Sequence, residues 1–545
     1  MTPRFSVLTA VCDPPIAVLE RCLASVREQD SDDWEHVVVD DASTDPAVRD
    51  ALVDAADDSR VTVVFRPRRG GIVAASNDAL AAASGALVAL LDHDDELAPA
   101  ALSTMAAAFG TDDDGSECDV AYSDHDLIRT DGRRGEPFYK PDFSPERLRH
   151  QNYITHLLTA RRSLINEVGG FRAGFDGAQD HDLVLRLTEA ARRVVHVPEV
   201  LYHWRQVAGS VALDPSAKQY AYENGRRAVE DHCLRCGIDA DVDLGGDLGT
   251  FVVRRRATRP ITLLVAAPLH TGIVWGRERH HLTRLATSIA ALARRSVIDV
   301  IIAVPCGGEA LARQLLADAA CPAHVVGATA ASALWPAALD ALSTSTGIAN
   351  SVVIPLVESM QLDEHRNDIT GLAAHLASAD VAIVGSTQLQ SDRTIRHGGF
   401  ITDHLGTHPI LTGWAGSHPG PGRLMQVARE VGAVDIVGAA MRAADFRAIC
   451  AGAANNAAAG TDVDIASIGP LFSVEQRTAG SRVVWTPQAV WYRFEPPPTG
   501  LASVSATDPY SNPNLAPGRG DWLELPGRGG ATSYDLDESG QRIWS

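Results

Sequence analysis

Ala86-Leu87-Val88-Ala89-Leu90-Leu91-Asp92-His93-Asp94-Asp95 is the stretch that decides how this chain folds. A short apolar run bounded by Gly85 and by polar residues reads as a buried strand. Carboxylates crowded at its carboxyl end repel one another and call for a cationic partner. Loops at that end of a strand are also where open α/β sheets bind ligands. The D-x-D spacing of Asp92 and Asp94 suits a hard divalent cation that keeps coordination positions for substrate phosphates. The other account is a helix start, with Asp94 or Asp95 as N-cap before Pro99-Ala100-Ala101-Leu102.

Strands and helices alternate on the amino-terminal side of this run. Phe5 to Val11 reads as a strand, Ile16 to Gln29 as a helix, and Trp34 to Val39 as a second strand. A helix over Pro46 to Ala56, a strand over Val61 to Phe65 and a helix over Ile72 to Ala83 follow the same alternation. That pattern predicts an α/β fold with a parallel sheet covered on both faces. It brings Thr9 to Asp13, Asp40 to Asp45 and Asp92 to Asp95 to one crevice. Gly70-Gly71 is a turn, and also a place where backbone can approach a nucleotide. Asn77 is a further nucleotide-contact candidate. The basic run Arg66-Pro67-Arg68-Arg69 is placed to meet a diphosphate. Downstream, Leu183, Val184 and Leu187 mark a helix face, which puts Asp180 and Asp182 at its start. Capping is the alternative role for either carboxylate.

The bulk properties narrow the classes. A chain of 545 residues has room for two or three domains, and its net charge of −21 argues against nucleic acid as partner. Eight cysteines without framework spacing suggest a reducing compartment, and Cys233-Leu234-Arg235-Cys236 has no second pair to make a zinc site. No uncharged apolar stretch reaches membrane-spanning length, and the first residues enter a strand without a signal-peptide core. A soluble, cytoplasmic protein is expected, with peripheral membrane association through a partner still compatible.

The second half repeats the first. Val194 to Arg205 resembles Val483 to Phe494, and setting Pro198 on Pro487 puts His203 on Tyr492. Gln179-Asp180-His181-Asp182 has a counterpart in Thr461-Asp462-Val463-Asp464. The strand before Asp92 corresponds to Ser351-Val352-Val353-Ile354, which sets Pro355 against Asp92 and Val357 against Asp94. Such self-similarity indicates a duplicated domain. Pro, Val and Tyr are not ligands for a hard cation, so the second copy is expected to keep the scaffold and lose the metal.

Taken in order, several motifs resemble family 2 glycosyltransferases of the GT-A fold. They are Val38 to Asp45, Gly70 to Asn77, Leu91 to Leu97, Tyr122-Ser123-Asp124, Phe138 to Asp142, Gln151-Asn152-Tyr153, Gly169-Gly170-Phe171, Gln179 to Leu183 and Leu201 to Arg205. The branch they resemble is the rhamnosyltransferase-like or O-antigen one of bacterial surface-polysaccharide assembly. The likeness covers about residues 5 to 212. In the second half, Arg393 to Gly399 and Asp508 to Asn514 resemble stretches of tandem members of that branch. The resemblance implies a metal-dependent, inverting transfer of a hexosyl group from a nucleotide-diphosphate sugar to a hydroxyl of a glycan or lipid-linked acceptor.

The resemblance also implies roles. Asp180 would be the catalytic base. Thr9, Asp13, Asp41, Gly71, Asn77, Asp92 and Asp94 would bind the nucleotide sugar, with Asp41 on the base and Asp92 on the ribose or the diphosphate. Asp94 and His203 would hold Mn²⁺ or Mg²⁺, and Asp182, Trp204 and Arg205 would line the acceptor side. Thr9 to Asp13 departs from the family's usual Thr-Pro-x-Tyr-Asn. Gln179 stands where an acidic residue is common, which leaves Asp180 as the one candidate base. The expected division is a catalytic GT-A domain over 1–215, a helical and polar linker over 216–258, a degenerate GT-A-like domain over 259–498 and an irregular tail over 499–545. The competing readings are a sugar nucleotidyltransferase and a non-catalytic glycan- or nucleotide-sugar-binding scaffold.

Overall fold

The first strand, β1 (Phe5–Val11), sends Phe5, Val7 and Val11 into one apolar cluster and Leu8 into another. Side chains alternate along a strand, so both faces of its sheet are covered. The computed structural model describes residues 2–110, 115–206, 219–257, 259–274, 276–345, 351–403, 406–458, 465, 468–495, 508–512, 535–536 and 542–543. It divides into two compact units, Met1–Arg254 with Asn512–Asn514, and Arg255–Ser511 with Leu515–Ser545.

The first unit continues through α1 (Ile16–Arg27), β2 (Trp34–Asp40), α2 (Pro46–Ala55), β3 (Val61–Phe65), α3 (Ile72–Ala82), β4 (Leu87–Leu90) and β5 (Glu96–Leu97). Next come α4 (Ala101–Ala108), β6 (Val120–Ile128), α5 (Pro145–His150), β7 (Leu158–Arg161), α6 (Arg162–Glu167), α7 (Gln179–Ala190) and β8 (Val194–Arg205). The sheet order is β3-β2-β1-β4-β7-β6-β8-β5. The sheet is mixed rather than wholly parallel: β3, β2, β1 and β4 run parallel, as do β6 and β8, but β7 and β5 are antiparallel to their neighbours. β7 enters between β4 and β6, and β5 pairs with the end of β8. That second pairing ties the loop after β4 to the segment that holds His203.

The stretch read as a linker belongs to the first unit as far as Arg254. Helix α8 (Gln219–Arg235) and the hairpin β9 (Ala240–Leu244) and β10 (Phe251–Arg255) bring Ala228, Val229, Cys233, Phe251 and Val253 into the same apolar cluster as Leu183 and Leu187. Their polar residues are the solvent face of an amphipathic element.

The second unit runs β11 (Ile261–Ala266), β12 (Thr271–Val274), β13 (Arg277–His280), α9 (His281–Ala293), β14 (Asp299–Pro305), α10 (Glu309–Asp318), β15 (His324–Ala328) and α11 (Leu334–Ser345). It continues with β16 (Val352–Val357), β17 (Met360–Asn367), α12 (Ile369–Ala374), β18 (Val381–Gln390), β19 (Ile395–His397), β20 (Phe400–Asp403) and β21 (Gly406–Pro409). Then follow β22 (Arg429–Glu430), β23 (Ala440–Arg442), α13 (Ala443–Ala458), α14 (Gly469–Thr478) and β24 (Arg482–Arg493). Its main path, β15-β14-β11-β16-β23-β18-β24-β17, repeats the first sheet strand for strand, with the same parallel and antiparallel neighbours. The duplication is therefore one of topology as well as of sequence.

Strand pairing also sets the register between the copies. Glu96 pairs with His203 in the first unit and Gln361 with Tyr492 in the second, so Tyr492 takes the place of His203. Leu87 pairs with Arg161, and Val352 with Arg442. Both pairings give the same offset, which puts Val357 in the place of Asp92 and Ser359 in that of Asp94. The alignment with Pro355 and Val357 is thus two residues out of step: a proline inside a strand invited it, and only the ladder reveals the slip. Residues 461–464, the proposed counterpart of Gln179 to Asp182, lie outside the described residues. Counting back from His203 on β8 and Tyr492 on β24, Asp180 falls on Gly469, the first residue of α14.

Candidate active site

The Asp92–Asp95 loop leaves β4 and is fixed from below by β8. Tyr202 donates its hydroxyl to Asp95 Oδ2 at 2.5 Å, and the Arg205 amide donates to Asp95 Oδ1 at 2.7 Å. The Asp92 amide donates to the Tyr202 oxygen at 3.2 Å, and Arg205 Nε donates to the Asp94 carbonyl at 2.9 Å. Asp95 is fully buried by these contacts and is the loop's anchor. Neither Asp94 nor Asp95 caps a helix, because α4 begins at Ala101 with Ala100 at its N-cap. Arg205, read as an acceptor contact, instead braces the loop and pairs with Glu96.

Asp94 is left half-buried, and among the described residues its side chain has no partner beyond its own amide. Burial first, then the charge of Asp92, push its carboxyl above the ordinary range. Asp92 is exposed, with His156 Nε2 3.9 Å from its Oδ2. His156 stacks on Tyr202 with ring centroids 4.6 Å apart and lies edge-on to Trp204 at 5.5 Å. Burial lowers its pKa to about 4 against the pull of Asp180 and Asp94, so the ring is neutral at pH 7 and can offer a lone pair. Asp92, Asp95 and His156 each place a ligand atom within 4.8 Å of the others.

Asp180 completes the group. It lies in the first turn of α7 but not at its cap, which is Ala178. Asn152 Nδ2 donates to its Oδ2 at 3.0 Å. Burial raises its pKa, His156 opposes that rise, and the charge of Asp92 adds to it. A buried carboxylate with a raised pKa, coupled to a neutral imidazole, is able to take up a proton.

Lys140 lies fully buried beneath this group and donates to the carbonyls of Ser123 at 2.5 Å, Ile154 at 2.6 Å and His156. Its backbone amide meets Asp124, which also binds His196 Nε2 at 2.9 Å and Asn512 Nδ2 at 2.8 Å. Burial lowers the Lys140 pKa to about 7. The lysine spans the turn that carries His156 and fixes its backbone.

Other predicted residues go elsewhere. His203 leaves β8 on the face opposite Tyr202 and Trp204, and its Nδ1 meets Asp126 Oδ1 at 2.6 Å. It is not in the group around Asp92 and His156. Asp182 is fully buried and accepts from Arg172 and Arg186, so it is not presented to an acceptor. Asn77 spends its whole amide on Phe171, donating to the carbonyl at 2.8 Å and accepting from the amide at 3.0 Å. Thr9 is buried with its hydroxyl 2.9 Å from His36 Nε2.

Asp41 and Asp13 line the crevice with their charge already met. Asp41 accepts from the Gly70 and Gly71 amides at 2.8 and 2.7 Å and pairs with Arg66. Burial would raise its pKa, but these donors outweigh it and hold the carboxyl below the ordinary value. Gly71 has φ +86°, a turn that an L side chain resists. Asp13 accepts from the Thr44 amide at 2.6 Å and from Arg69 Nη2 at 2.5 Å. Two arginines of the Arg66 to Arg69 run are thus bound to carboxylates of the crevice.

His156 was missed by sequence reasoning, although the Gln151-Asn152-Tyr153 motif stands just before it. The available signal was its place just before the strand that pairs with β4, which carries it to the D-x-D loop. A second group of ligand type, Glu189, His232 and Cys236, lies between α7 and α8, but Arg235 and Arg149 already hold its glutamate and histidine. All eight cysteines are free.

The family model for "Glycosyl transferase family 2" matches residues 6–170. The O-antigen biosynthesis protein RfbC of Myxococcus xanthus is 37% identical over 302 residues, covering 55% of this chain and 23% of the relative. The uncharacterized protein y4gI of Sinorhizobium fredii is 39% identical over 298 residues, covering 54% of this chain and 32% of its own. The chain therefore spans about a third or less of the length of these two curated relatives. Among solved structures, S. aureus TarS 1-349 in complex with UDP-GlcNAc is 23% identical with a TM-score of 0.34, over 42% of this chain and 66% of that one.

Proposed function

We propose that the amino-terminal unit, matched over residues 6–170 by the family 2 glycosyltransferase model, is a glycosyltransferase domain of the GT-A type that moves a sugar from a nucleotide-diphosphate donor to a hydroxyl of a growing surface glycan or lipid-linked acceptor, with inversion. The observation that carries this reading is His156 Nε2 lying 3.9 Å from Asp92 Oδ2, with the charges of Asp180 and Asp94 both acting on the ring. Asp180 takes the proton of the acceptor hydroxyl as its oxygen bonds to the anomeric carbon. The bond from that carbon to the diphosphate breaks, and its electron pair leaves with the nucleoside diphosphate. One base opposite the leaving group favours a single displacement.

The donor set fits a divalent cation. Asp94 is an acidic oxygen ligand with no cationic side chain to offset it, and His156 adds a neutral nitrogen beside Asp92. Mn²⁺ or Mg²⁺ held by Asp92, Asp94 and His156 would take up the charge that develops on the diphosphate. Asp95, Tyr202 and Arg205 keep the loop in place for it. Asp41 and Asp13, with Gly70 and Gly71, form the wall on which the nucleoside would rest. Lys140 and Asn152 hold His156 and Asp180. No helix among the described residues is long and apolar enough to cross a membrane.

The test is a screen of nucleotide sugars with Mn²⁺ and with Mg²⁺, scoring nucleoside diphosphate release. At least one donor should be hydrolysed or transferred by the intact chain and not by Asp94→Ala. Indifference to every activated sugar would refute the reading.

A further inference from the structure

We propose that the second unit holds a binding site for a neutral, hydroxyl-rich ligand, a saccharide unit, at the place that answers to the crevice of the first. The inference stands apart from the reaction assigned to the first unit. In the matched ladders, His125 pairs with Tyr202 and Gln388 with Trp491, while Trp204 and Arg493 hold the same place on their strands. Ser359 stands for Asp94 by the register already given. Two of the positions around His156, those of Trp204 and Asp94, are therefore taken by Arg493 and Ser359 in the second unit, and these two are joined in one network.

Arg493 Nη1 donates to Asp435 Oδ2 at 3.0 Å and to Gln388 Oε1 at 3.1 Å, and the same guanidinium pairs with Glu495. Gln388 Nε2 lies 3.3 Å from Asp435 Oδ2, and Ser359 donates its hydroxyl to Glu495. His397, from the Arg393 to Gly399 motif, is only 4% exposed and stacks on Phe400. Its Nε2 pairs with Asp435 Oδ2 at 3.6 Å, and its Nδ1 has no hydrogen-bond partner among the described residues.

The chemistry of the ligand follows from what the network already satisfies. A metal cation is disfavoured because a guanidinium sits between the two carboxylates. A diphosphate is disfavoured because those carboxylates would repel it. What is missing is a partner for Nδ1 of the buried imidazole, the acceptor nitrogen when Nε2 donates to Asp435. A hydroxyl both donates and accepts, so a polyol meets that need while its other hydroxyls reach Asp435 and Glu495. Glu495, 35% exposed on its side chain, and Asp435, 13% exposed, give the group an edge to solvent.

Saturation-transfer NMR on the full chain, with the methyl glycosides of glucose, galactose, rhamnose and N-acetylglucosamine, tests this. Hydrogen exchange then locates the contact. At least one glycoside should bind and protect amides of residues 395–399 and 434–438. Asp435→Asn and the more exposed Glu495→Gln should each weaken that binding about tenfold while the fold, checked by thermal melting, persists. Asp94→Ala should leave it unchanged, which separates this site from the donor reaction. The proposal is overturned if no glycoside binds, if protection appears only in the first unit, or if inorganic pyrophosphate protects the same amides instead.

Discussion

The imidazole of His156 lies flat on the ring of Tyr202, 13° from parallel, while Tyr202 in turn donates its hydroxyl to Asp95. One tyrosine thus orients both the histidine and the acidic loop. His156→Ala should lower turnover about 10²-fold, the usual weight of a positioned polar group beside the reacting atoms. His203→Ala should cost far less, because its ring is spent on Asp126. Nucleoside diphosphate release across a Mn²⁺ titration checks both. A larger loss at His203 than at His156 would reverse the assignment.

Asp180→Asn should leave donor binding intact and lower turnover by about 10² to 10⁴. The raised pKa of Asp180 also gives activity an acid limb. A base works deprotonated, so the rate falls as pH drops through that pKa, above the ordinary carboxylate range. The Asn152 amide donates to the charged form, so Asn152→Ala should push the pKa further up and move the limb to higher pH. A limb that stays put or moves down would show that the proton goes elsewhere.

Asp182 serves the fold. It is fully buried and binds Arg186 Nη2 at 2.7 Å and Arg172 Nε at 2.9 Å. Asp182→Ala would leave the Arg186 guanidinium buried without its anion and should cost about 3–5 kcal/mol. Denaturant melts would read that loss. The turnover per folded molecule should stay near wild type, whereas an acceptor-binding role would raise KM for acceptor instead.

Much of this was legible in the sequence where one residue's local pattern carried the signal. The alternation from Phe5 to Leu91 set the strands and the crevice, and Asp92-x-Asp94 marked its mouth. Pairing across the sheet was not legible. His203 and Tyr202 are neighbours in sequence, yet the pleat sends one to Asp126 and the other to His156. Asn77 and Asp182 have the residue types of a site, but distant backbone and arginines claim them. The antiparallel entry of β7 has no counterpart in local hydropathy, and it is what delivers His156.

His36 offers a test of the scaffold. It is buried on β2 beside Thr9, and burial lowers its pKa from 6.5 to about 3. Between those values the unfolded chain binds a proton that the folded chain refuses. Folding stability should therefore rise with pH across that window, and acidification below about pH 6.5 should erode it. His181, lowered to about 4 by burial, works in the same direction. His36→Val would lower the starting stability, since Thr9 loses its partner. It would also remove one titrating group, so the slope of stability against pH should fall by up to about 1.4 kcal/mol per pH unit. Urea melts of both proteins at several pH values between 4 and 7 measure that slope. Equal slopes would mean that His36 is protonated in the folded chain, and that the buried Thr9 contact does not hold it neutral.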